Sequence, residues 1–397
     1  MFGIYIHIPF CEKKCSYCDF YSIERVERVD AFAENLIREI SLRGESGSRF
    51  PAATSVFFGG GTPSLLPPKY ITRIFDALFR NFSISDDVEI TMECNPGTIT
   101  LESLRGYRSA GVNRLSFGVQ SFHEAELEFL DRIHSPDEAR EAVRLARSAG
   151  FDNVNIDLMF ALPPQTLESW HETLRSAVAL EIEHISAYSL IYEEGTPLFA
   201  RLSRGQVRRT DEETDARMYA EAINYLDKNG FKQYEVSNFA RSGRECRHNL
   251  TYWNGEEYLA FGPSAHGCID KTRYWNYRNL ALYNKSIDSG KLPIANSEAL
   301  SLTERMFERA FLEIRAQGIR LDDFHKDFGI DVLSALGNDL QIWIKNGLLY
   351  VCAGRLSLAS AGYSVCDELT TRIIAILETA AGKIWEISEY GKESTIS

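Results

Sequence analysis

The chain has 397 residues, 44% of them hydrophobic and 25% charged, and a formal net charge of -13. This is the profile of a globular protein of two or three domains. The acidic balance argues against an extended nucleic-acid interface, which needs a basic face. No apolar run approaches the ~20 residues of a membrane-spanning helix. The opening MFGIYIHIPFCEKK lacks the pattern of a signal peptide, and eight cysteines are too sparse for a disulfide framework. A reducing, cytoplasmic setting is expected.

Phe2–Ile8 alternates apolar residues (Ile4, Ile6, Ile8) and reads as a strand. It leads into Cys11, Cys15 and Cys18, spaced C-x3-C-x2-C. Three sulfurs in one loop suit a soft metal centre. A closed structural zinc site takes four ligands, and no fourth Cys or His lies nearby. The expectation is a cluster with one iron left to an exogenous ligand. Zinc-bound or simply buried cysteines are the alternative.

Extended and helical stretches then alternate. Helices are expected at Asp30–Arg43, Lys69–Arg80, Leu101–Ala110, Pro136–Ala149 and Leu167–Leu180. Strands are expected at Ser55–Phe58, Glu89–Cys94, Arg114–Val119, Val154–Phe160 and His184–Leu190. Six successive strand–helix units predict an α/β protein with a parallel sheet and helices outside it. Functional residues should sit at the carboxyl ends of the strands. Polar groups do gather there: the cysteines, the Gly59-Gly60-Gly61-Thr62-Pro63 run, Glu93 with Asn95, and Gln120; Asp157 lies in the fifth strand. Glycines let backbone approach a ligand closely, though a plain turn reads the same way. Glu93 is an acid in an apolar strand, costly to bury unpaired. A structural salt bridge would also satisfy it.

The cysteine loop with its context Tyr5, His7, Pro9, Phe10, Cys11 resembles the radical S-adenosylmethionine (SAM) superfamily, and within it the oxygen-independent coproporphyrinogen III oxidase (HemN-like) group. The resemblance implies a partial (β/α)6 barrel over residues 1–200. It also implies a 4Fe–4S cluster on Cys11, Cys15 and Cys18, with SAM on the open iron. Tyr5, Tyr17, Gly60, Gly61, Thr62, Glu93, Gln120, Arg132 and Asp157 match the group's SAM-contacting positions. Thr62 stands where the superfamily carries an acid. Arg132 suits a carboxylate, which a guanidinium can grip with two bonds.

Residues 201–300 are expected to connect the barrel to the C-terminal domain. Arg201–Asn229 reads as a charged surface helix with its lead-in, Ala216, Tyr219, Ala220, Ile223 and Leu226 facing inward, and Gly230 as its cap. Phe231–Val236 reads as a strand. The stretch His248-Asn249-Leu250-Thr251-Tyr252-Trp253 offers an imidazole for haem iron and aromatic faces for a porphyrin. By itself this is an ordinary packed histidine. As H-N-x-x-Y-W, it resembles the haem-chaperone branch of the group, and His248, Asn249, Tyr252 and Trp253 become candidate haem residues. His266, in YLAFGPSAHGC, is a second candidate ligand. Residues 301–380 are expected to form a mainly helical, winged-helix-like domain, with Phe307, Ala310, Phe311 and Ile314 as one stripe, then Trp343, Ile344, Leu348 and Leu349. A polar tail at 381–397 is expected to fray.

The oxidase branch carries a further Cys two residues past the third cluster cysteine, where this chain has Phe20, and an N-terminal extension, where ten residues precede Cys11. The resemblance therefore implies a haem chaperone that keeps a radical SAM site, with no residue assigned to catalysis. Oxidative decarboxylation of coproporphyrinogen III is the alternative; radical modification of RNA or protein is a third. Implied partners are haem and acceptor haemoproteins, respiratory and membrane-associated, with a homodimer as one assembly and peripheral attachment to the inner face of the membrane as one location.

Overall fold

The computed structural model describes residues 1–45 and 50–393, with backbone alone for 383–393. The chain divides into two compact units. The first comprises Met1–Gln233, Ser237–Thr251 and Glu256–Glu298; the second comprises Tyr234–Val236, Tyr252–Gly255 and Ala299 onward.

In the first unit the alternation becomes β1 (Gly3–Ile8), α1 (Val29–Glu45), β2 (Ala53–Gly60), α2 (Pro68–Asn81), β3 (Ile84–Cys94), α3 (Leu101–Ala110), β4 (Arg114–Gln120), α4 (Glu124–Phe129), α5 (Pro136–Ser148), β5 (Val154–Phe160), α6 (Leu167–Ala179) and β6 (His184–Ser189). Successive strands from β1 to β6 pair in parallel. The strand period of two explains the layering. Ile4, Ile6 and Ile8 on β1 are wholly buried, each worth about 2 kcal/mol of transfer out of water. Tyr5 and His7 alternate with them and face the other way. Helix starts are explicit: Ser135 and Glu138 bond each other's backbone N–H at 3.2 and 2.7 Å to cap α5.

The chain continues through α7 (Pro197–Ser203), α8 (Glu212–Lys228), β7 (Lys232–Glu235), β8 (Asn238–Ala240), α9 (Arg247–Trp253), β9 (Tyr258–Phe261), β10 (His266–Ile269), β11 (Thr272–Asn276), α10 (Leu280–Asp288) and β12 (Ile294–Ala299). The sheet order is β12-β11-β10-β9-β1-β2-β3-β4-β5-β6-β8-β7. Edge strands remain at both ends, so the barrel is partial, where closure would leave none. Region 201–300 therefore extends the barrel's own sheet: β9 lies parallel to β1, and β10 and β11 continue antiparallel. On α8 the buried residues are Met218, Ala222, Ile223 and Leu226, while Ala216 is exposed. The buried stripe runs through Met218, Ala222 and Leu226, and Ala216 lies about a third of a turn round the helix from its centre.

The second unit contains α11 (Leu302–Ile314), β13 (Ile319–Arg320), α12 (Leu321–Phe328), α13 (Val332–Lys345), β14 (Leu349–Cys352), β15 (Arg355–Leu358), α14 (Ser360–Tyr363) and α15 (Cys366–Glu393). Its small sheet runs β13-β15-β14, and its core joins Met306, Ala310, Ile314, Phe324, Leu340, Trp343, Leu356 and Ile373. The expected stripe is rotated: Phe311 is exposed, with the Arg315 guanidinium 3.6 Å over its ring. Met306 takes the inward place, and Ile344 also faces out. The tail expected at 381–397 lies largely outside the described residues; helical backbone continues to Glu393.

Candidate functional site

β1 delivers its chain end into the cysteine loop. The loop is closed at its base, where Cys11 N–H donates to Ile23 O at 3.1 Å and Ile23 N–H to Pro9 O at 2.7 Å. Cys18 N–H bonds Cys15 O at 3.2 Å, making the turn between them. All three cysteines are half-buried, and none of the protein's cysteines forms a disulfide. Burial pushes the Cys18 thiol up, countered by a backbone bond at Phe20. Among the described residues, no three His, Cys, Asp or Glu side chains converge on a point that would hold a single ion. A cluster, whose cysteines each take a separate iron, spreads its ligands.

The glycine run is shaped by this loop. Gly61 N–H donates to Ile8 O at 2.8 Å, and Thr62 N–H to Phe10 O at 2.6 Å. A Cβ on Gly61 would lie 2.5 Å from Phe10 O. Gly60 adopts φ +111°, where a side chain would be strained. The Thr62 hydroxyl donates to Cys11 Sγ at 3.6 Å. Thr62 thus bonds the sulfur of one of the three loop cysteines.

On the opposite side Arg132 reaches in. Its Nη1 donates to Cys15 Sγ at 3.6 Å and its Nη2 to Gly118 O at 2.6 Å. It also hydrogen-bonds Tyr17, whose phenol is pushed up by burial. Arg132 Nε is buried without a partner. Gly118 makes this approach possible: a Cβ there would sit 3.2 Å from Arg132 Nη2 and 3.1 Å from Gln120 Nε2. Gln120 ends β4 at φ +66°, a left-handed conformation rare outside glycine, of the kind that gathers at functional sites. Sequence reasoning missed Gly118; an isolated glycine inside a strand was the available signal.

The barrel interior is acidic at this level. Glu93 takes one bond, from Gly60 N–H at 3.2 Å. Burial, with the nearby charge of Asp157, pushes its carboxyl up to about 8. Asp157 is also raised, by burial, although it accepts from Asn155 at 2.8 Å and Ser116 at 3.4 Å. Tyr5, Glu93 and Asp157 remain half-accessible despite this desolvation, so they line space enclosed by the strands. His7, given no role by sequence reasoning, is buried and neutral, held down to about 4 by burial. It links Tyr5 OH (3.1 Å) to Tyr21 O (2.8 Å).

These features fit the cofactors the resemblance implies. Three soft sulfurs suit iron. Arg132 Nε is a spare donor for a carboxylate, and Glu93, with its one hydrogen bond from Gly60 N–H, has a carboxylate oxygen left for an ammonium group.

The H-N-x-x-Y-W stretch forms α9, an element the sequence did not predict. Its start is capped by Glu89, whose Oε1 accepts from Arg247 N–H at 3.0 Å and Cys246 Sγ at 3.4 Å. His248 is 1% exposed. Its Nδ1 lies 2.9 Å from Ser55 Oγ, and its ring stacks on Phe57 at 5.0 Å and Tyr5 at 6.2 Å. Gly3 leaves it room, since a Cβ there would be 3.2 Å from the ring. Burial holds the imidazole down to about 3, so it is neutral. Asn249, Tyr252 and Trp253 are half-buried.

Comparison with known proteins accords with this geometry. A family model described as the radical SAM superfamily matches residues 5–177, and one for the HemN C-terminal domain matches residues 300–365. The radical SAM family implies a 4Fe–4S cluster and SAM as cofactors. The chain is 34% identical to the heme chaperone HemW of Bacillus subtilis, over 93% of this chain and 98% of that protein. It is 36% identical to heme chaperone HemW of Mycobacterium tuberculosis, over 94% and 95% of the two chains. In fold it matches the coproporphyrinogen III oxidase HemN of Escherichia coli with a TM-score of 0.79, covering 96% of this chain and 90% of that one at 24% identity. With its three-cysteine loop, glycine run and partial barrel, and with near-complete alignment to these chaperones, the chain belongs to the HemW family of the radical SAM superfamily.

Proposed function

We propose that the protein binds haem and passes it to acceptor haemoproteins, while holding a 4Fe–4S cluster on Cys11, Cys15 and Cys18 and SAM between that loop and the barrel interior. The observation that carries this reading is the alignment with a heme chaperone over 98% of the latter's length. The oxidase likeness supports the fold alone.

Cluster and SAM, when bound, supply one-electron chemistry. The chain's own residues prepare for it. Arg132 keeps positive charge beside the Cys15 sulfur. Thr62 donates to Cys11. Glu93 and Asp157 would receive a cationic ammonium or ribose hydroxyls, Arg132 Nε a carboxylate, and Tyr5, Tyr17, Gly60, Gly61 and Gln120 would frame the nucleoside and methionine. In the haem motif, His248 anchors α9 against β1 and β2, and Asn249, Tyr252 and Trp253 follow it on that helix.

Respiratory haemoproteins as acceptors, a homodimer, and a cytoplasmic location with peripheral attachment to the membrane complete the proposal. No helix among the described residues is long and apolar enough to cross a membrane. An anaerobic assay of the reconstituted protein with SAM, reductant and coproporphyrinogen III tests the reading against its rival, with an oxidase as positive control. Haem binding with no protoporphyrinogen formed is the expected result. Product at the control's rate would make the protein an oxidase.

A further inference from the structure

His248 shows no open face for an iron, but His266 does. This second histidine opens β10 and is exposed, and among the described residues no hydrogen bond engages its ring. The strand register fixes its direction. Cys268 pairs with Tyr258, and Tyr258 with Gly3. His266 therefore shares the inner face of the sheet with Tyr5 and His7. The opposite face at this level is closed by Tyr274, whose ring would meet a Cβ on Gly267 at 2.4 Å.

Three further groups border the imidazole. Trp275 is its cross-strand partner, and the two rings stack at 5.7 Å and 22°. His7 lies within electrostatic reach of both His266 and Arg278 and bonds the carbonyl of Tyr21. Arg278 donates to Asp19 O at 3.0 Å, and the next residue, Phe20, is 69% exposed. An open imidazole, an indole, a bare phenyl and a guanidinium thus border the cysteine loop. The hairpin carrying His266 is held at its root. Glu39 accepts from Gly262 N–H at 2.8 Å and from Asn276 Nδ2 at 2.7 Å, and Tyr283 OH donates to it at 2.6 Å. A ligand on such a braced element is positioned before its partner arrives.

We propose, resting on the haem-binding reading above, that His266 gives haem iron its axial nitrogen beside the cysteine loop, with Trp275 backing the imidazole, Phe20 against the porphyrin and Arg278 on a propionate. An exposed neutral imidazole is the ordinary protein ligand of haem iron. Arginine suits a carboxylate.

The test is titration of the full-length protein with ferric haem, read by Soret absorbance and by electron paramagnetic resonance. Wild type, His266→Ala and His248→Ala would be compared, with circular dichroism and iron–sulfur content checked on each. The expected result is loss of the histidine-ligated signature in His266→Ala, with affinity down at least about tenfold, and its return on adding free imidazole. His248→Ala should keep the signature. An unchanged spectrum and affinity in His266→Ala would overturn the assignment while leaving haem binding in place. Absence of haem binding by wild type would overturn both.

Discussion

The cysteine loop and α9 both display a conspicuous sequence motif, and they are built in opposite ways. In the loop the motif side chains stay half-buried, and the surrounding groups reach toward them: Thr62 to Cys11, Arg132 to Cys15. In α9 the motif's leading histidine turns inward, bonds Ser55 and packs against the rings of Phe57 and Tyr5. One motif exposes its chemistry, and the other uses its histidine to lock a helix onto the sheet. A motif's spacing marks which residues matter but not whether they face a ligand. That is decided by neighbours far away in sequence, here Gly3, Ser55 and Phe57.

The comparison breaks most sharply at Cys15. Cys15→Ser should lose the cluster, with iron and sulfide falling to near background in anaerobically reconstituted protein, because three ligands leave none to spare. Full iron and sulfide content in this variant would remove Cys15 from the ligand set. On the other side, His248→Ala should cost about 3 kcal/mol of stability, read as a lower denaturant midpoint, because it empties a packed site and strands the Ser55 hydroxyl. Iron content should be unaffected. A stable His248→Ala protein would contradict its role as an anchor.

Arg132→Lys comes next in size. Lysine keeps the charge but loses the fork that spans Gly118 O and Cys15 while leaving Nε spare. SAM affinity should fall about tenfold, measured by equilibrium binding to the reconstituted protein. Unchanged affinity would show that the orphaned Nε has no ligand.

A smaller effect comes from pH. Glu93 ionises at 4.5 when unfolded and about 8 in the folded chain. Between those values the unfolded state has released a proton that the folded state keeps, so stability falls as pH rises from 4.5 to about 8. Glu93→Gln should flatten this slope in the protein without cofactors. Glu39, raised to about 7 by burial, acts in the same direction, so the variant is compared with its parent. His248 works in the opposite sense: its depressed value makes stability fall as pH drops below 6.5 toward about 3. If parent and Glu93→Gln share one slope, the carboxyl is not desolvated as described.

Much of this was legible in the sequence. Strand–helix alternation located β1 to β6, since apolar runs of period two and helical stripes are local signals. The cysteine spacing and the polar strand ends located the cofactor side. What the sequence hid depends on long-range contact. The place of β9 beside β1 joins residues about 250 apart, and nothing in YLAF distinguishes an inner strand from an edge. Helix α9 is short and held by Glu89 from β3, so its own periodicity is weak. Gly118 and His7 act through what they make room for or bridge. In the second unit, the rotated stripe of α11 turned on Arg315 covering Phe311, a contact that offsets exposure of an aromatic ring.

Delivery of haem is the step on which the proposed function stands. The decisive experiment mixes haem-loaded protein with an excess of an apo-haemoprotein and follows the acceptor's own Soret band. Stoichiometric transfer to the acceptor is expected, faster from the loaded protein than from haem carried by serum albumin at the same concentration. Haem that stays on the protein, or reaches the acceptor no faster than from albumin, would contradict a chaperone role.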